Sequence, residues 1–324
     1  MHAISQYREA IIDYLHEKIR VKEPANLYEP MVYILEQSGK RLRPVLVLMA
    51  TEIFDCNYKK ALDAALAIEV FHNFSLVHDD IMDDAPLRRG KETVHEKWDI
   101  NTGILSGDAM LINAYQLFEN YEGDTFKELS SLFTKTAIEV CEGQQYDIDF
   151  ETRDNVSIDD YLKMIEYKTA VLVGASLQMG AIVAQTSKEC KEAIYQYGRL
   201  LGIAFQLQDD YLDAFGDPET FGKQPGGDII ENKKTFLYLK TLELASKSEA
   251  LQLEHLYTIS PAENSGKIEA VKSLFESSGA AELTRKEIEN YTDKAFQILD
   301  KIQLSDEKKE PLRKFGEMLM ERQV

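Results

Sequence analysis

The sequence predicts an all-α protein, because helical spacing dominates the chain and strand patterns are missing. Apolar residues recur at intervals of three and four through most of its length, as in RPVLVLMATEIF and FKELSSLFTKTAIEVCEG. No segment alternates convincingly between apolar and polar residues in the manner of a strand. Segments such as LVGASLQMGAIVA are apolar nearly all round, which is typical of helices buried on most sides.

These helices are expected to form one domain over residues 1–324. No linker rich in Pro, Gly or Ser and no low-complexity segment interrupts the pattern. From about Ser246 onward the chain becomes rich in Glu and Lys and amphipathic, which predicts an outer layer of helices. The sequence therefore favours a single large helical bundle.

Composition limits the possible partners and the compartment. The 324 residues are 44% hydrophobic and 29% charged, which is an ordinary globular balance, and the net charge of −19 disfavours nucleic acid as a partner. Three widely spaced cysteines form no zinc or disulfide pattern, and we expect them to be buried thiols in a reducing cytoplasm. The N-terminus does not have the character of a signal peptide, and no apolar run approaches the roughly 18 residues of a membrane span.

Four aspartates, at positions 79, 80, 83 and 84, crowd into the stretch LVHDDIMDDAPLRRG. They follow an apolar helix predicted over Ala61–Met82, on which Asp79 and Asp83 would face the same way. Like charges at this spacing repel, and a helix C-terminus carries partial negative charge. The crowding therefore predicts bound cations, with a solvated acidic helix end as the alternative.

The same spacing returns in FQLQDDYLDAF, where Asp209, Asp210 and Asp213 again follow an apolar run. Two such acidic walls facing each other across a bundle cavity would bind hard divalent ions. Mg²⁺ usually takes one or two carboxylates together with substrate phosphates. Glycine-rich phosphate motifs of the GxxxxGK[ST] and GxGxxG kinds are missing, so phosphates would bind through metal ions and basic side chains.

Basic residues gather at three junctions of loop and helix in this acidic chain. Arginine forks match phosphate oxygens, and lysine supplies a point charge. Each cluster alone could be a solvated loop, but beside two acidic clusters they predict a site for two diphosphates. Their members are Lys40, Arg41 and Arg43; Arg88, Arg89 and Lys91; and Lys223, Lys233 and Lys234.

Between Gly39 and Lys234 the chain carries, in order, GKRLRP, HNFSLVHDDIMDDAPLRRG, GQQYD, YKTA, FQLQDDYLD and GKQPGGDIIENK. This series closely resembles the trans-isoprenyl diphosphate synthases, the polyprenyl synthetase family. The resemblance implies the all-α isoprenoid synthase fold around a deep central cavity, usually as a homodimer. It also implies an enzyme that joins isopentenyl diphosphate head to tail to dimethylallyl, geranyl or farnesyl diphosphate.

The resemblance assigns a role to each matching side chain. It places three Mg²⁺ ions, for which Mn²⁺ could substitute, on Asp79, Asp83 and Asp209, supported by Asp80, Asp210 and Asp213. It places the allylic diphosphate on these ions and Arg88, with charge added by Lys168, Lys223 and Lys233. It places isopentenyl diphosphate on Lys40, Arg43, His72 and Arg89. Thr169 and Gln206 would turn their oxygens towards the developing cation, while Gln144 and Asp147 match an element near the site.

The chemistry explains this set of residues. Diphosphate leaves only when its charge is neutralised, and metal ions and cationic side chains do this as the C–O bond breaks. The isopentenyl double bond then attacks the allylic cation, and proton loss to the departing diphosphate ends the step. No nucleophilic side chain is required. We expect His72 to bind diphosphate, with a core histidine as the alternative, and we interpret His78 as structural.

Product length depends on the apolar wall that precedes Asp79. Phe71 and Phe74 lie eight and five residues upstream, about two turns and one turn, so both rings could close the cavity. The first motif lacks the two-residue insertion of the usual bacterial farnesyl enzymes. We expect a product of fifteen or twenty carbons and favour twenty.

Two other functions fit parts of the pattern. A class I terpene cyclase shares the fold and a first DDxxD motif, but it needs no isopentenyl site and its second metal motif usually differs from DDYLD. A non-catalytic subunit of a heteromeric synthase usually lacks one aspartate motif, whereas both are intact here.

Overall fold

The computed structural model describes residues 2–217, 226–261 and 263–320. Helix accounts for 79% of the structure, so the predicted all-α class is confirmed. In the described part the helices are α1 (Ile4–Lys18), α2 (Ala25–Leu35), α3 (Leu42–Ile53), α4 (Leu62–Met82), α5 (Val94–Lys97), α6 (Ile100–Leu117), α7 (Gly123–Thr152), α8 (Ile158–Ile165), α9 (Val171–Val183), α10 (Lys188–Phe215), α11 (Gly227–Ile230), α12 (Phe236–Leu244), α13 (Lys247–Leu256), α14 (Ser265–Ser277), α15 (Ala280–Lys301) and α16 (Asp306–Met320).

The remaining regular elements are short. A hairpin of β1 (Leu87–Arg88) and β2 (Lys91–Glu92) pairs antiparallel, with Leu87 opposite Glu92 and Arg88 opposite Lys91. Two 3₁₀ turns cover Tyr58–Ala61 and Phe118–Asn120, and a π-helical turn covers Glu166–Ala170 between α8 and α9. Each of these elements lies between longer helices along the chain.

The chain comprises two compact units, each built from two segments. The first unit contains Met1–Thr134 and Ala175–Glu192, and the second contains Lys135–Gly174 and Ala193–Val324. The long helices α7, α9 and α10 contribute residues to both units. The single domain over residues 1–324 therefore stays a prediction.

In the first unit, α4 is the central helix and packs against α1, α2, α3 and α6. Its first half is almost entirely buried, from Ala64 to Phe71, because small alanines let neighbouring helices approach on every side. The helix ends at Met82, where Asp83 forms the C-cap and Asp84 takes a left-handed backbone conformation with φ of 48°. The helix predicted over Ala61–Met82 is thus present, and the first acidic cluster lies at its C-terminal end.

In the second unit, the inner face of α10 forms the core with α12 and α14. Leu207 and Tyr211 of α10 pack in one cluster with Phe236 of α12 and Phe275 of α14. The helices after Ser246 each bury one face, as predicted for an amphipathic layer. This packing fixes α10, which carries the second acidic cluster.

The cysteines differ from the prediction that they are buried. Cys141 is exposed and Cys56 and Cys190 are partly exposed, and none of the three is disulfide-bonded. Cys56 lies in the turn after α3 and Cys190 in the first turn of α10, positions that the helix cores do not cover. Among the described helices, none combines the length and the apolar character that a membrane span requires.

Candidate active site

The aspartates of the first acidic cluster differ in burial. Asp83 is exposed and Asp79 is half-buried, whereas Asp80 is only 1% exposed. Arg88 Nε donates to both carboxylate oxygens of Asp80, at 2.7 and 2.9 Å, and Arg88 Nη2 lies 2.7 Å from Oδ1. This bidentate pair occupies Asp80, so Asp79 and Asp83 are the carboxylates of this cluster that are better placed for a cation.

The hairpin turn presents the two arginines that follow the cluster. Arg89 and Gly90 both have positive φ, 53° and 76°, as a two-residue type I′ turn requires. A Cβ on Gly39 would lie 2.9 Å from Arg89 Nη1, so the guanidinium of Arg89 lies against the backbone at Gly39. Arg88 and Arg89 therefore lie at a tight hairpin turn.

His72 of α4 is a neutral imidazole beside several cations. Its pKa lies well below the ordinary histidine value, because burial disfavours the charged ring and the charges of Arg43, Arg89, Arg88 and Arg41 repel it. Arg43 Nη1 lies 3.2 Å from His72 Nε2. Because a guanidinium has only donors, Nε2 must accept, which places the ring proton on Nδ1.

Burial also lowers the pKa of Arg43, to about 10, and lowers that of Arg89, which Arg41 further depresses. Arg43 Nε is buried and has no hydrogen-bond partner among the described residues. Guanidinium groups remain charged at such values near neutral pH. The region around His72 is therefore a pocket of concentrated positive charge in an acidic chain, suited to an anion with several oxygens.

Arg41, unlike Lys40 and Arg43, has a structural role. It lies 9% exposed, pairs with the buried carboxylate of Glu69 and donates to two backbone carbonyls at the end of α2. Asn73 donates to the same carboxylate at 3.0 Å. This buried network fixes the backbone before α3, while Lys40, the adjacent residue, is exposed. Arg41 thus stabilises the junction between the loop that carries Lys40 and the start of α3, which carries Arg43.

In the second unit, the π-helical turn carries Lys168 and Thr169. Such turns are rare and are frequent at functional sites because the extra residue redirects side chains. A Cβ on Gly143 would lie 2.2 Å from Lys168 N, and one on Gly202 would lie 2.7 Å from Ala170 Cα. The two glycines therefore let α7 and α10 press against the turn. Lys168 Nζ forms an ion pair with Asp147 of α7.

A chain of hydrogen bonds leads from Thr169 across Gln206 to Asp210. Thr169 Oγ1 donates to Gln206 Oε1 at 3.1 Å, and Gln206 Nε2 donates to Asp210 Oδ1 at 2.9 Å. The hydroxyl of Tyr161 donates to the other oxygen of Asp210. Burial, followed by the charge of Asp228, raises the pKa of Asp210 well above the ordinary range.

A cavity of about 130 Å³ lies against this chain. Its wall includes Lys168, Thr169, Gln206, Asp210, Asp147, Tyr161, Met164, Ile165, Phe150, Glu151, Asp228, Asn232, Lys233, Lys234 and Thr235. The wall combines apolar side chains with side chains of both charges. Lys168, Thr169 and Gln206, to which the resemblance gives catalytic roles, thus line one cavity, and those roles stay a prediction.

The two lysines at this cavity differ in their contacts. Lys233 pairs with Glu231 at 2.7 Å and lies 3.8 Å from Asp228; burial would lower its pKa, but these acids raise it above the ordinary value. Lys234 donates to the carbonyls of Phe150 and Arg153 and so caps the C-terminal end of α7. Lys233 is the side chain that can supply charge to a ligand.

The aspartates of the second acidic cluster also differ in burial. Asp209 and Asp213 are half-buried, and Asp210 is 8% exposed. Asp213 Oδ2 accepts from the backbone amide of Asp228 at 2.9 Å, which holds the start of α11. Lys223, which the sequence assigned to the allylic diphosphate, lies outside the described residues.

Gln144 lies on α7, one residue from the glycine that contacts the π-helical turn. It is 8% exposed, and its Oε1 has no hydrogen-bond partner among the described residues. A buried amide oxygen without a partner is costly unless a ligand or water completes it. That Gln144 lies near a binding site stays a prediction.

The two phenylalanines before Asp79 pack differently. Phe71 is fully buried and its ring lies 5.1 Å from that of Phe133, in an aromatic cluster of the first unit. Phe74 is 8% exposed and lies between Phe71, at 5.5 Å, and His78, at 4.8 Å between ring centroids. Phe74 is therefore the better candidate for a wall that a ligand touches.

Sequence reasoning missed Tyr161 and the buried pair of Glu69 with Arg41. Tyr161 lies on α8 in an apolar spacing that marks it as a core residue, and no signal in the sequence points to its contact with Asp210. Glu69 lies inside an apolar run, where a carboxylate needs a buried partner. Asp228, which lines the cavity, lies in the motif GKQPGGDIIENK but received no role.

Comparison with known proteins gives consistent matches over most of the chain. The family model for polyprenyl synthetase matches residues 24–275. A geranylgeranyl diphosphate synthase of Methanosarcina mazei is 38% identical over 278 residues, covering 83% of this chain and 85% of that protein. A geranylfarnesyl diphosphate synthase of Natronomonas pharaonis is 34% identical, covering 99% and 97%. A crystal structure of a geranylgeranyl pyrophosphate synthase superposes with a TM-score of 0.96 at 53% identity, covering 100% of both chains.

Proposed function

The chain belongs to the polyprenyl synthetase family, and on this premise we propose that it condenses isopentenyl diphosphate head to tail with an allylic diphosphate. It is a prenyltransferase with the isoprenoid synthase fold. The observation that carries the choice of substrates is the cluster of Arg43, Arg88 and Arg89 beside neutral His72. A terpene cyclase has no second diphosphate to hold, so it would not need this cluster.

The donor set of the aspartate motifs fits Mg²⁺. Asp79 and Asp209 are half-buried and Asp83 is exposed, and their carboxylates are the hard oxygen ligands that Mg²⁺ prefers. We place three ions on them, with Asp80 and Asp213 in support, and Mn²⁺ as a substitute. When bound, the ions neutralise the leaving diphosphate.

The basic residues divide between the two diphosphates. Lys40, Arg43, His72 and Arg89 hold isopentenyl diphosphate in this proposal, and His72 does so through its Nδ1–H because Nε2 already accepts from Arg43. Arg88, Lys168, Lys223 and Lys233 contribute charge to the allylic diphosphate. The departing diphosphate then accepts the proton that the new product loses.

Thr169 and Gln206 stabilise the allylic cation in this scheme. A carbonyl oxygen has two lone pairs, and Gln206 Oε1 uses one of them to accept from Thr169. The second lone pair can face the developing positive charge. Since Asp210 holds the amide nitrogen, the amide cannot flip without losing that bond, which keeps its negative end in place before the reaction starts.

We propose a product of fifteen or twenty carbons and favour geranylgeranyl diphosphate. The relatives named for geranylgeranyl and geranylfarnesyl products support a length of twenty or slightly more. Phe74, next to His78, is the ring on which this limit depends.

We also propose a cytoplasmic homodimer. Ile104, Leu105 and Ile112 of α6 are 41% to 60% exposed, a concentration of apolar surface on one helix that a partner subunit would cover. Light scattering at micromolar concentration tests the assembly, and a monomer would refute it. The cytoplasmic location rests on the sequence alone.

A product assay tests the function. The purified protein is incubated with Mg²⁺, isopentenyl diphosphate and, separately, each of the dimethylallyl, geranyl and farnesyl diphosphates, and products are resolved by mass. A twenty-carbon product from all three starters is expected, and chelation of Mg²⁺ should abolish it. If the folded protein condenses none of them, the non-catalytic subunit or the cyclase becomes the better explanation.

A further inference from the structure

We propose that Asp84, His95 and Glu96 form a binding site for a divalent transition-metal ion, separate from the aspartate motifs. One ligand atom from each of the three side chains lies within 4.8 Å of the others. Zn²⁺ is the ion that this set of one imidazole and two carboxylates favours. The all-oxygen preference of Mg²⁺ makes it a poor competitor here.

The position of His95 carries the proposal. Its side chain is 7% exposed, yet neither ring nitrogen has a hydrogen-bond partner among the described residues. Its Nε2 lies 3.8 Å from Glu96 Oε1, too far for a hydrogen bond. A buried imidazole without partners is costly, and a metal ion between the nitrogen and the two carboxylates would supply what it lacks.

The backbone brings the three residues together without any ligand. Asp84 precedes the β1–β2 hairpin, and His95 and Glu96 follow it on α5. The ends of this segment are joined by Thr93 Oγ1, which donates to Ala85 O at 2.8 Å, and by Thr93 N, which donates to Pro86 O at 3.2 Å. The site is therefore largely formed in advance, which lowers the entropic cost of binding.

A bound ion would act as a clasp on the hairpin. Asp84 and His95 lie on either side of residues 85–93, the segment that carries Arg88 and Arg89. Joining its two ends limits opening of the hairpin and so holds both guanidinium groups in place. The bound ion would therefore have a structural role and no part in the chemical step.

Zn²⁺ titration of the whole protein tests the site, with excess Mg²⁺ present to occupy the aspartate motifs. We expect one tight Zn²⁺ per chain by calorimetry. The variants His95→Asn and Asp84→Asn should each weaken it by at least about tenfold, the loss that removal of even an outer partner of a metal ligand causes. Asp84 is exposed, so its variant should fold even if the buried His95 variant does not.

Matched controls are His255→Asn and Asp124→Asn, which change exposed residues of the same types elsewhere. Both should bind Zn²⁺ as the unchanged protein does. Hydrogen exchange of residues 85–93 should slow with Zn²⁺ in the unchanged protein and the controls only. Equal Zn²⁺ affinity in the unchanged protein and in Asp84→Asn would overturn the proposal, whatever the prenyltransferase assay shows, because no substrate is present.

Discussion

Tyr161 and Gln206 hold the same carboxylate from two sides: the tyrosine hydroxyl donates to Asp210 Oδ2, and the Gln206 amide donates to Oδ1 at 2.9 Å. Asp210 lies on α10, while Tyr161 lies on α8, one helix before the π-helical turn. The shared carboxylate therefore links the second aspartate motif to Gln206 and Thr169, for which we propose contact with the allylic cation. It makes Tyr161 a positioning residue that acts through Asp210.

Tyr161→Phe should lower kcat by about tenfold with little change in KM. The variant removes one hydrogen bond to a buried carboxylate, about 1.4 kcal/mol if the loss is felt in the transition state. Tyr197→Phe is the matched control, since Tyr197 also loses a buried hydroxyl bond, to Leu312 O. It should reduce thermal stability and leave kcat unchanged. Equal kcat for both variants would remove the positioning role.

Replacement of aspartate by asparagine should affect stability and activity differently at Asp80 and at Asp83. Asp80→Asn breaks a buried bidentate pair with Arg88, so we expect the free energy of unfolding to fall by roughly 2–4 kcal/mol together with activity. Asp83→Asn changes an exposed side chain, so stability should hold while the Mg²⁺ concentration for half-maximal activity rises. Urea unfolding measures the free energy of unfolding of each variant, and Mg²⁺ titration of activity measures the concentration for half-maximal activity. A stable, inactive Asp80→Asn would show that Asp80 acts mainly on the metal.

The two phenylalanines of α4 offer a test of product length. Phe74→Ala should shift the product to longer chains, because Phe74 is the more accessible of the two rings. Phe71→Ala should instead cost roughly 3–5 kcal/mol of stability, because Phe71 is fully buried against Phe133. Mass analysis of products and thermal unfolding separate the two effects. An unchanged product from Phe74→Ala would exclude this ring as the limit.

The helices and the acidic clusters could be predicted from the sequence because each depends on local spacing. The course of α4 followed from apolar periodicity, and the position of Asp79 at its end followed from where that periodicity stops. The burial of Asp80 could not be predicted, since it depends on the hairpin folding back to present Arg88. Composition also failed for Cys141, whose exposure depends on which face of α7 is covered.

The sequence also could not predict which side chains of the basic clusters turn inward and which remain available to a ligand. Arg41 and Arg43 stand two residues apart, and both match an anion-binding pattern. Arg41 nevertheless turns inward to Glu69 from a left-handed backbone position with φ of 50°, while Arg43 meets His72. The π-helical turn that carries Lys168 could not be predicted either, because its apolar spacing differs from that of an α-helix by one residue.

His72 should make the stability of the protein depend on pH in the weakly acidic range. Its pKa in the folded state lies well below the value near 6.5 of an unfolded histidine, because burial and the neighbouring arginines oppose the charged ring. Below about pH 6.5 the unfolded chain therefore binds a proton that the folded chain does not, so stability falls as pH falls, by up to about 1.4 kcal/mol per pH unit.

His72→Gln should flatten this dependence. Glutamine keeps an acceptor for Arg43 but cannot take up a proton in this range. Urea midpoints of the unchanged protein and the variant, measured from about pH 5 to pH 8, should lie closest above about pH 6.5, where the unfolded histidine is neutral, and should separate as pH falls, because only the unchanged protein then loses stability through this group. Parallel curves would mean that His72 carries the same charge in both states and that the arginines do not hold it neutral.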